Sequence, residues 1–354
     1  MCGRWQCSFQ LQPIEWMKGK VIGSGSFGNV HLAMDQATGS LFVAKSATSE
    51  SGIFSLKNEA NILENLDSPY IIKCIGKDFS LAKNGEKKHT LFLEYMAGGS
   101  LSDVAEKFGG TLDERVIHLY TREIVVGLRY LHQNGIVHSD LKCKNVLLGL
   151  SGNIKLADFG AAKKIYDGKK NVKTWMRSWD SCLGGTPLWM APEVLRNEGL
   201  DFSSDIWSLG CTVIEMATGK PGWHIDRSNP MDEILKISRG DKVPHFPLGF
   251  SKEGIDFLEK CLQTDPRKRW TSQELLHHPF VDVRPGIVFS RKASDAFSPS
   301  SVLDVGSYDS YDSSDDECLE GSTPFPGRLK KMAARNVSEK DFQSSGDWIT
   351  VRKR

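Results

Sequence analysis

The 354-residue sequence lacks the features of several protein classes. Lys and Arg number 45 against 44 Asp and Glu, so no net charge favours nucleic acid or an anionic membrane as a partner. No apolar run approaches the roughly 18 residues that span a bilayer, and MCGRWQCSFQ at the N-terminus lacks the apolar centre of a signal peptide. The eight cysteines form no C-x-x-C pair, which predicts reduced thiols. We therefore expect a protein of the cytoplasm or nucleus, or both, with no nucleic-acid partner and no membrane span.

The composition of the chain changes near Pro285. From residue 294 to 320 there are eight acidic residues and no Lys or Arg, and the remaining sequence is basic. This stretch has too few large apolar residues to offset the entropy of ordering it. We therefore predict a flexible N-terminus over 1–13, one domain over 14–283, and a disordered tail over 284–354 that is acidic and then basic.

The hydrophobic period divides the predicted domain into two parts. From Lys20 to Glu94 apolar residues mostly alternate, as in β-strands, and a single helical stretch, FSLKNEANILENL, interrupts them. From Ser100 onward the period is helical. This order predicts an α+β fold with a small β-rich N-lobe over about 14–96, a large helical C-lobe over about 97–283, and a cleft between them.

Two helix starts have the sequence of a capping box, in which the side chain of the first residue and that of the third residue after it each bind the other's backbone N–H. Thr111 with Glu114 precedes the longest amphipathic stretch, and Thr271 with Glu274 opens a later short helix. We predict both capping boxes.

The first motif with chemical meaning is Gly23-Ser24-Gly25-Ser26-Phe27-Gly28. A G-x-G-x-x-G run alone fits either a dinucleotide fingerprint or a glycine-rich turn. In a dinucleotide-binding fold the third glycine opens a helix, but here the following residues alternate as a strand. We therefore predict a strand–turn–strand whose backbone N–H groups can bind phosphates.

Lys45 lies on the next predicted strand, in Phe42-Val43-Ala44-Lys45. Its ammonium group suits phosphate oxygens, and a carboxylate on the following helix would hold it in place. Glu59 is the predicted partner because it lies in the middle of that helix. Glu64 is the alternative, but it lies off the apolar stripe.

Two further runs, HSDLKCKNVLL from His138 and IKLADFG from Ile154, supply the groups that phosphoryl transfer requires. We predict Asp140 as the carboxylate that orients a hydroxyl and accepts its proton. Asn145 and Asp158 are the predicted magnesium ligands, and Lys142 is the cation near the transferred group. His138 is predicted to be structural.

The segment from Asp158 closes with Gly185-Thr186-Pro187-Leu188-Trp189-Met190-Ala191-Pro192-Glu193. A charged run, Asp265-Pro266-Arg267-Lys268-Arg269-Trp270, follows much later in the chain. We predict a buried ion pair between Glu193 and Arg269 that holds the end of this segment.

These motifs, in this order over about 16–281, resemble those of eukaryotic protein kinases. The run Asp140-Leu141-Lys142 with Asn145, together with Gly185-Thr186, resembles the serine/threonine branch. The sequences NEANIL, SPYII and DWITVR, with the non-Arg catalytic loop, are similar to plant MAP kinase kinase kinases of the MEKK-like class. The resemblance implies a bilobal kinase fold, ATP and Mg²⁺ as cofactors, and a MAP kinase kinase as protein substrate in a stress or hormone cascade. Regulators that bind the tail are further expected partners.

The resemblance also implies a nucleotide pocket. Adenine would bind a hinge made of Glu94, Tyr95 and Met96, with Leu93 as the gatekeeper beside it. An apolar slot suits a flat purine, and four side chains would form it: Ile22, Val30, Ala44 and Leu148. Thr186 would contact Asp140 and Lys142.

One residue departs from the kinase pattern. Ser139 precedes Asp140 where the family usually has an Arg that binds a phosphorylated activation loop. Without that cation we expect activity that does not depend on loop phosphorylation. Two alternative functions are a kinase-fold scaffold without catalysis and a small-molecule phosphotransferase. The retained Lys45, Asp140 and Asp158 argue against the scaffold, and the platform-like segment before Glu193 argues against the phosphotransferase.

Overall fold

The structure is a computed structural model, and it describes residues 15–25, 28–81, 87–165, 186–223, 230–241, 243–282 and 349–351. The chain divides into two compact units, residues 1–283 with 346–354 and residues 284–345. All described residues belong to the first unit.

Eleven strands are described: β1 (Trp16–Gly25), β2 (Gly28–Asp35), β3 (Leu41–Ala47), β4 (Cys74–Leu81), β5 (Lys87–Glu94), β6 (Gly99–Ser100), β7 (Ile136–Val137), β8 (Val146–Leu148), β9 (Ile154–Leu156), β10 (Lys163–Lys164) and β11 (Ile349–Val351). Eight α-helices are described: α1 (Glu50–Leu63), α2 (Leu101–Lys107), α3 (Glu114–Gln133), α4 (Pro192–Leu195), α5 (Phe202–Thr218), α6 (Pro230–Arg239), α7 (Lys252–Cys261) and α8 (Ser272–Leu275).

The N-lobe is built on a six-stranded antiparallel sheet in the order β11-β1-β2-β3-β5-β4. On one face, Trp16, Phe42 and Phe92 pack edge to face, with ring centroids 5.5–6.0 Å apart. Helix α1 packs against β3, β4 and β5. It begins after Ser49, whose hydroxyl accepts from the N–H of Gly52. The sheet and this helix form the predicted β-rich lobe with its single helix.

The tail departs from the prediction at its last described residues. Ile349–Val351, which lie in the stretch expected to be disordered, form β11 and pair with the start of β1. Residues 283–348 and 352–354 lie outside the described residues, as do residues 1–14 of the predicted flexible N-terminus.

The C-lobe is helical, and α3 runs through its core. Ile117, Ile124 and Leu128 are fully buried on this helix. Helices α5, α7 and α8 pack around it or against one another. On α5, the fully buried Trp207 stacks under the guanidinium of Arg269, 5.1 Å from its ring centre. The two lobes have the predicted α+β architecture.

Of the two predicted capping boxes, one is present and one is wrong. Thr271 and Glu274 form the reciprocal bonds at the start of α8. At α3 the N-cap is Asp113 instead of Thr111. The carboxylate of Glu114 accepts from the N–H and hydroxyl of Ser251 instead. This long-range bond joins the start of α3 to the start of α7. The spacing of Thr111 and Glu114 could predict only a bond between neighbouring residues.

Within the described ranges, no helix has the length and apolar character needed to cross a membrane.

Candidate functional site: a lysine and two aspartates at the cleft

Lys45 lies between two carboxylates. Its Nζ is 2.6 Å from Oε2 of Glu59 and 2.8 Å from Oδ1 of Asp158. Glu59 is fully buried, and its other oxygen accepts from the N–H of Phe159 at 3.2 Å. The predicted Lys45–Glu59 pair is therefore confirmed, and it joins β3, α1 and the segment that begins at Asp158.

Glu64, the alternative partner, lies elsewhere. Its carboxylate pairs with Nζ of Lys77 at 2.5 Å, and both side chains are more than one third exposed. An exposed pair of this kind contributes little to stability because water screens it. The burial of Glu59 explains why the mid-helix position, and not the helix end, holds the lysine.

Burial and charge shift the pKa values of Lys45, Asp158 and Glu59 in different directions. Burial by itself would lower the pKa of Lys45, but the carboxylates of Glu59 and Asp158 outweigh it and raise that pKa above its ordinary value. Burial would raise the pKa of Asp158, yet the Lys45 ammonium holds it below the usual range. Burial raises the pKa of Glu59 and outweighs the opposing effect of Lys45. Lys45 therefore stays charged at neutral pH.

Asp140 is held by three side chains. Its Oδ2 accepts from Nζ of Lys142 and from Nδ2 of Asn145, both at 2.9 Å, and its Oδ1 accepts from the hydroxyl of Thr186 at 2.9 Å. Nζ of Lys142 also donates to Oγ1 of Thr186. The contacts expected of Thr186 are confirmed. Asn145 further accepts at its backbone carbonyl from the N–H of Ala157 at 2.9 Å, which places Asp140 and Asp158 on directly connected segments.

The loop before Asp140 is fixed by a buried carboxylate that the sequence analysis did not assign. Asp205 of α5 accepts from the N–H groups of His138 and Ser139 at 2.9 and 3.0 Å, and from Nε2 of His132 at 3.0 Å. His138 is fully buried and donates from Nε2 to the carbonyl of Ala157 at 3.1 Å, which confirms its structural role. The sequence does not mark this role of Asp205, because its backbone partners Ser139 and His138 lie 66 and 67 residues earlier in the chain.

Glu215 is a second unassigned support, near the other end of α5. Its Oε2 accepts from the backbone N–H of Cys143 and from Nε1 of Trp189, both at 2.9 Å. Burial raises the pKa of Glu215, although these donors oppose the effect. Burial also raises the pKa of the Cys143 thiol well above its ordinary value, so this cysteine is a small apolar filler and not a reactive group.

Helix α1 and the segment after Asp158 are joined by an amide that no local pattern predicts. Nδ2 of Asn58 lies 2.9–3.2 Å from the carbonyl oxygens of Phe159, Gly160 and Ala162. Phe159 is fully buried. A Cβ added to Gly160 would lie 2.1 Å from Oγ of Ser55, so a larger residue there would require the Ser55 hydroxyl to rotate away. These contacts keep Glu59 and Asp158 within reach of Lys45.

The predicted ion pair at the end of the segment is present. Nη1 and Nη2 of Arg269 bind the two oxygens of Glu193 at 2.6 and 2.7 Å. The arginine also donates to the carbonyl oxygens of Ser203 and Gln263. This bidentate pair holds α4 against the start of α5 and the turn before α8.

The glycine-rich motif forms the predicted hairpin. Gly23 pairs with Val30 and Gly25 with Gly28, at the ends of β1 and β2. Gly28 has φ +139°, and a Cβ there would lie 2.0 Å from the carbonyl oxygen of Ser46, which explains the glycine. Ser24 lies within β1. Ser26 and Phe27 lie outside the described residues.

The prediction that Ala44 contacts adenine is wrong. Ala44 is buried in the aromatic cluster with Trp16 and Phe92. Because side chains alternate along a strand, Val43 and Lys45 share the opposite face, and Val43 packs into the larger core. Val43 is therefore the residue of β3 that can face a ligand beside Lys45.

The same alternation corrects a second pocket residue. Leu148 shares a face of β8 with Val146, which is fully buried in the core. Leu147 takes the opposite face, where Lys155 of β9 is its cross-strand neighbour. Nζ of Lys155 binds Oε1 of Glu94 at 2.6 Å, so this face looks toward the connection between the lobes. Leu147 replaces Leu148 as the candidate floor of the pocket.

The remaining pocket residues lie where β5 ends. Leu93 and Glu94 are the last residues of β5, and Tyr95 and Met96 follow in the connection to the C-lobe. Leu93 and Met96 are buried. Ile22 lies on β1 directly before Gly23 and is 41% exposed.

Residues 16–281 match the family model described as protein kinase domain. The chain belongs to the protein kinase family. Two relatives from Arabidopsis thaliana, mitogen-activated protein kinase kinase kinases 20 and 18, are 36% and 37% identical to it, and each alignment covers 96% of this chain and 100% of the relative. Human mitogen-activated protein kinase kinase kinase 3 is 40% identical over 77% of this chain and 42% of the relative. The kinase is therefore an ATP-dependent serine/threonine kinase that resembles the plant MEKK-like kinases.

Proposed function

We propose that this kinase transfers the γ-phosphoryl group of ATP to a Ser or Thr hydroxyl of a MAP kinase kinase in a stress or hormone signalling cascade. The observation that carries the proposal is the connected pair of polar clusters, Lys45–Glu59–Asp158 and Asp140–Lys142–Thr186, in one cleft. These are the groups that phosphoryl transfer requires, and all of them have their partners in place.

In the proposed reaction Asp140 orients the substrate hydroxyl and accepts its proton as the new O–P bond forms and the bond to the ADP oxygen breaks. Lys142, 2.9 Å from that carboxylate, neutralises charge on the transferred group. Lys45 binds the phosphates of the nucleotide, and Glu59 holds it. The N–H groups of the hairpin that contains Gly23 and Gly25 cover the phosphates.

The donor set also fits Mg²⁺. The side-chain nitrogen of Asn145 donates to Asp140, so the side-chain oxygen Oδ1 of Asn145 is the atom that would bind the ion. One oxygen of Asp158 binds Lys45, which leaves the second. Amide and carboxylate oxygens are the ligands that Mg²⁺ takes beside nucleotide phosphates. When bound, the ion would neutralise charge on those phosphates.

The proposed substrate class rests on the relatives, whose names make them kinases of a MAP kinase kinase, two steps above the MAP kinase. The test is to incubate the purified kinase with a panel of inactive MAP kinase kinases and map the phosphorylated residues. We expect Ser or Thr phosphorylation within the activation segment of at least one of them. Phosphorylation of generic proteins with none of the panel modified would contradict this substrate class and leave the kinase activity standing.

Lys45→Met separates an active kinase from a scaffold of the same fold. The substitution removes the phosphate-binding cation and leaves Glu59 and Asp158 without their shared partner. We expect transfer from radiolabelled ATP to fall by about 100-fold or more, as for the loss of a preorganised charge-stabilising group. Because a buried carboxylate would lose its partner, the melting temperature should also fall.

The matched control is Lys77→Met, which removes the exposed lysine that pairs with Glu64. We expect its transfer rate to equal that of the wild type. If the wild type incorporated radiolabelled phosphate only at the background level, and Lys45→Met gave the same level, the result would favour the scaffold.

Ser139 motivates a prediction about regulation. It has φ +68°, its N–H binds Asp205, and its hydroxyl is buried without a partner in the described part of the chain. No cation stands at this position to bind a loop phosphate. We expect the kinase, after complete phosphatase treatment verified by mass spectrometry, to keep at least half of its activity.

Autophosphorylation during the assay is controlled with a variant in which three candidate loop sites are replaced by alanine: Thr174, Ser178 and Ser181. These residues lie outside the described ranges. Loss of activity in both the treated protein and this variant would show that loop phosphorylation is required.

A further inference from the structure

The outer edge of β1 carries a feature that the proposed activity does not use. Residues 16–18 of β1 pair antiparallel with Ile349–Val351, so that Trp16 lies opposite Val351. Strand β2 covers the other edge of β1. In the described sheet β11 is the only neighbour on the outer side, and β1 would be an edge strand without it. An uncovered edge presents a row of unpaired N–H and C=O groups that pairs readily with other chains.

The sequence of β11 explains why this segment forms a strand. Ile349, Thr350 and Val351 are three consecutive β-branched residues, which favour extended backbone because their χ1 rotation is restricted. Residues 346–354 belong to the same compact unit as residues 1–283, whereas 284–345 form the other unit. Ile349–Val351 thus pair with the N-lobe sheet.

The receiving strand is firmly anchored where β11 pairs with it. Trp16 is 8% exposed and packs edge to face against Phe42 and Phe92. The carbonyl of Glu15 accepts from the N–H of Gln36 at 3.0 Å. A strand held in this way offers its edge in a fixed geometry, and preorganisation reduces the entropy lost when a segment adds to it.

We propose that the outer edge of residues 16–18 is a strand-addition site, which the chain fills with its own residues 349–351 and which an extended peptide of the same sequence can also occupy. Strand addition draws its affinity from main-chain hydrogen bonds. The chain between Asp282 and Ile349, at about 3.3 Å per extended residue, is long enough to reach any point on a domain of this size. Linkage in one chain gives the segment an effective concentration in roughly the millimolar range, which favours it over free segments.

The first test uses the full-length kinase with Val351→Pro. The carbonyl of Glu15 binds on the side of β2, so in an antiparallel ladder the next residue, Trp16, directs its backbone groups to the other side, toward Val351. Proline lacks the N–H that Val351 contributes to this ladder and fixes φ away from the strand value. Hydrogen exchange of the peptide spanning residues 15–20, followed by mass spectrometry, should become about tenfold faster as the edge opens locally. Val351→Ile keeps the N–H and the β-branched shape, and its exchange should match the wild type. Exchange in α3 should be unchanged in both variants.

The second test adds a synthetic peptide with the sequence of residues 346–354, GDWITVRKR, to the Val351→Pro kinase. We expect the peptide to restore slow exchange over residues 15–20, and a scrambled peptide of the same composition to have no effect. Unchanged exchange in Val351→Pro, or faster exchange in α3 as well, would overturn the proposal, as would failure of the peptide to restore protection. If hydrogen exchange over residues 15–20 of the wild type became slower as the protein concentration rose, the edge would be covered by a second copy of the chain. That result would overturn the proposal that the same chain covers it. None of these readouts depends on catalysis.

Discussion

Replacement of Asp140 by Asn should reduce phosphate transfer to a protein substrate by about 10²- to 10⁴-fold, the range for loss of a general base. An amide cannot accept the proton of the hydroxyl. The shape of the side chain is kept, and Asn145 and Thr186 still have oxygen or nitrogen atoms to bind. Initial rates with radiolabelled ATP and a mapped substrate peptide measure the effect, and the KM for ATP should change little because Asp140 does not hold the nucleotide.

Asp67→Asn is the control for Asp140→Asn. Asp67 is exposed in the loop after α1, and within the described ranges its backbone N–H donates to the hydroxyl of Tyr130. We expect wild-type rates for this variant. A rate for Asp140→Asn within threefold of the wild type would contradict the role of Asp140 as the proton acceptor.

Arg269→Ala should give the largest loss of stability. Removing one partner of a buried ion pair leaves an uncompensated charge, here the carboxylate of Glu193, and costs about 3–5 kcal/mol. The arginine side chain is fully buried, and it also packs on Trp207, so a cavity adds to the loss. Urea unfolding followed by circular dichroism should show a lower midpoint with an unchanged slope.

Arg267→Ala is the matched control, two residues before Arg269. Arg267 binds Asp265 at 3.0 Å, but its side chain is 87% exposed, so water and salt screen the pair. We expect an unfolding midpoint close to that of the wild type. Equal midpoints for Arg267→Ala and Arg269→Ala would contradict a stabilising role for the Glu193–Arg269 pair.

The ion pairs between buried, oppositely charged side chains could be predicted from the sequence. A lysine on a strand requires a carboxylate, and the mid-helix position singled out Glu59 over Glu64. The pair Glu193–Arg269 followed in the same way, although 76 residues separate its members. These predictions held because opposite charges in a low-dielectric interior have few alternatives to pairing.

Predictions that rested on local pattern were less successful. Thr111 with Glu114 has the spacing of a capping box, but Ser251 competes for the carboxylate of Glu114. The buried carboxylates of Asp205 and Glu215 were missed because they bind backbone N–H groups. A backbone N–H is present at nearly every position, so no residue type in the sequence marks which one a carboxylate will bind.

The sequence by itself determined the order of the motifs, the identity of the groups in the cleft and the division into a strand-rich and a helix-rich lobe, because these depend on residue chemistry and on periods of two and 3.6. Only the tertiary structure decided that Val43 packs into the larger core on the strand face of Lys45 whereas Ala44 packs into the aromatic cluster, and that Ile349–Val351 pair with the sheet. The orientation of a strand face and the choice of a strand partner depend on which distant surfaces become buried together, and a one-residue change of register reverses every side chain.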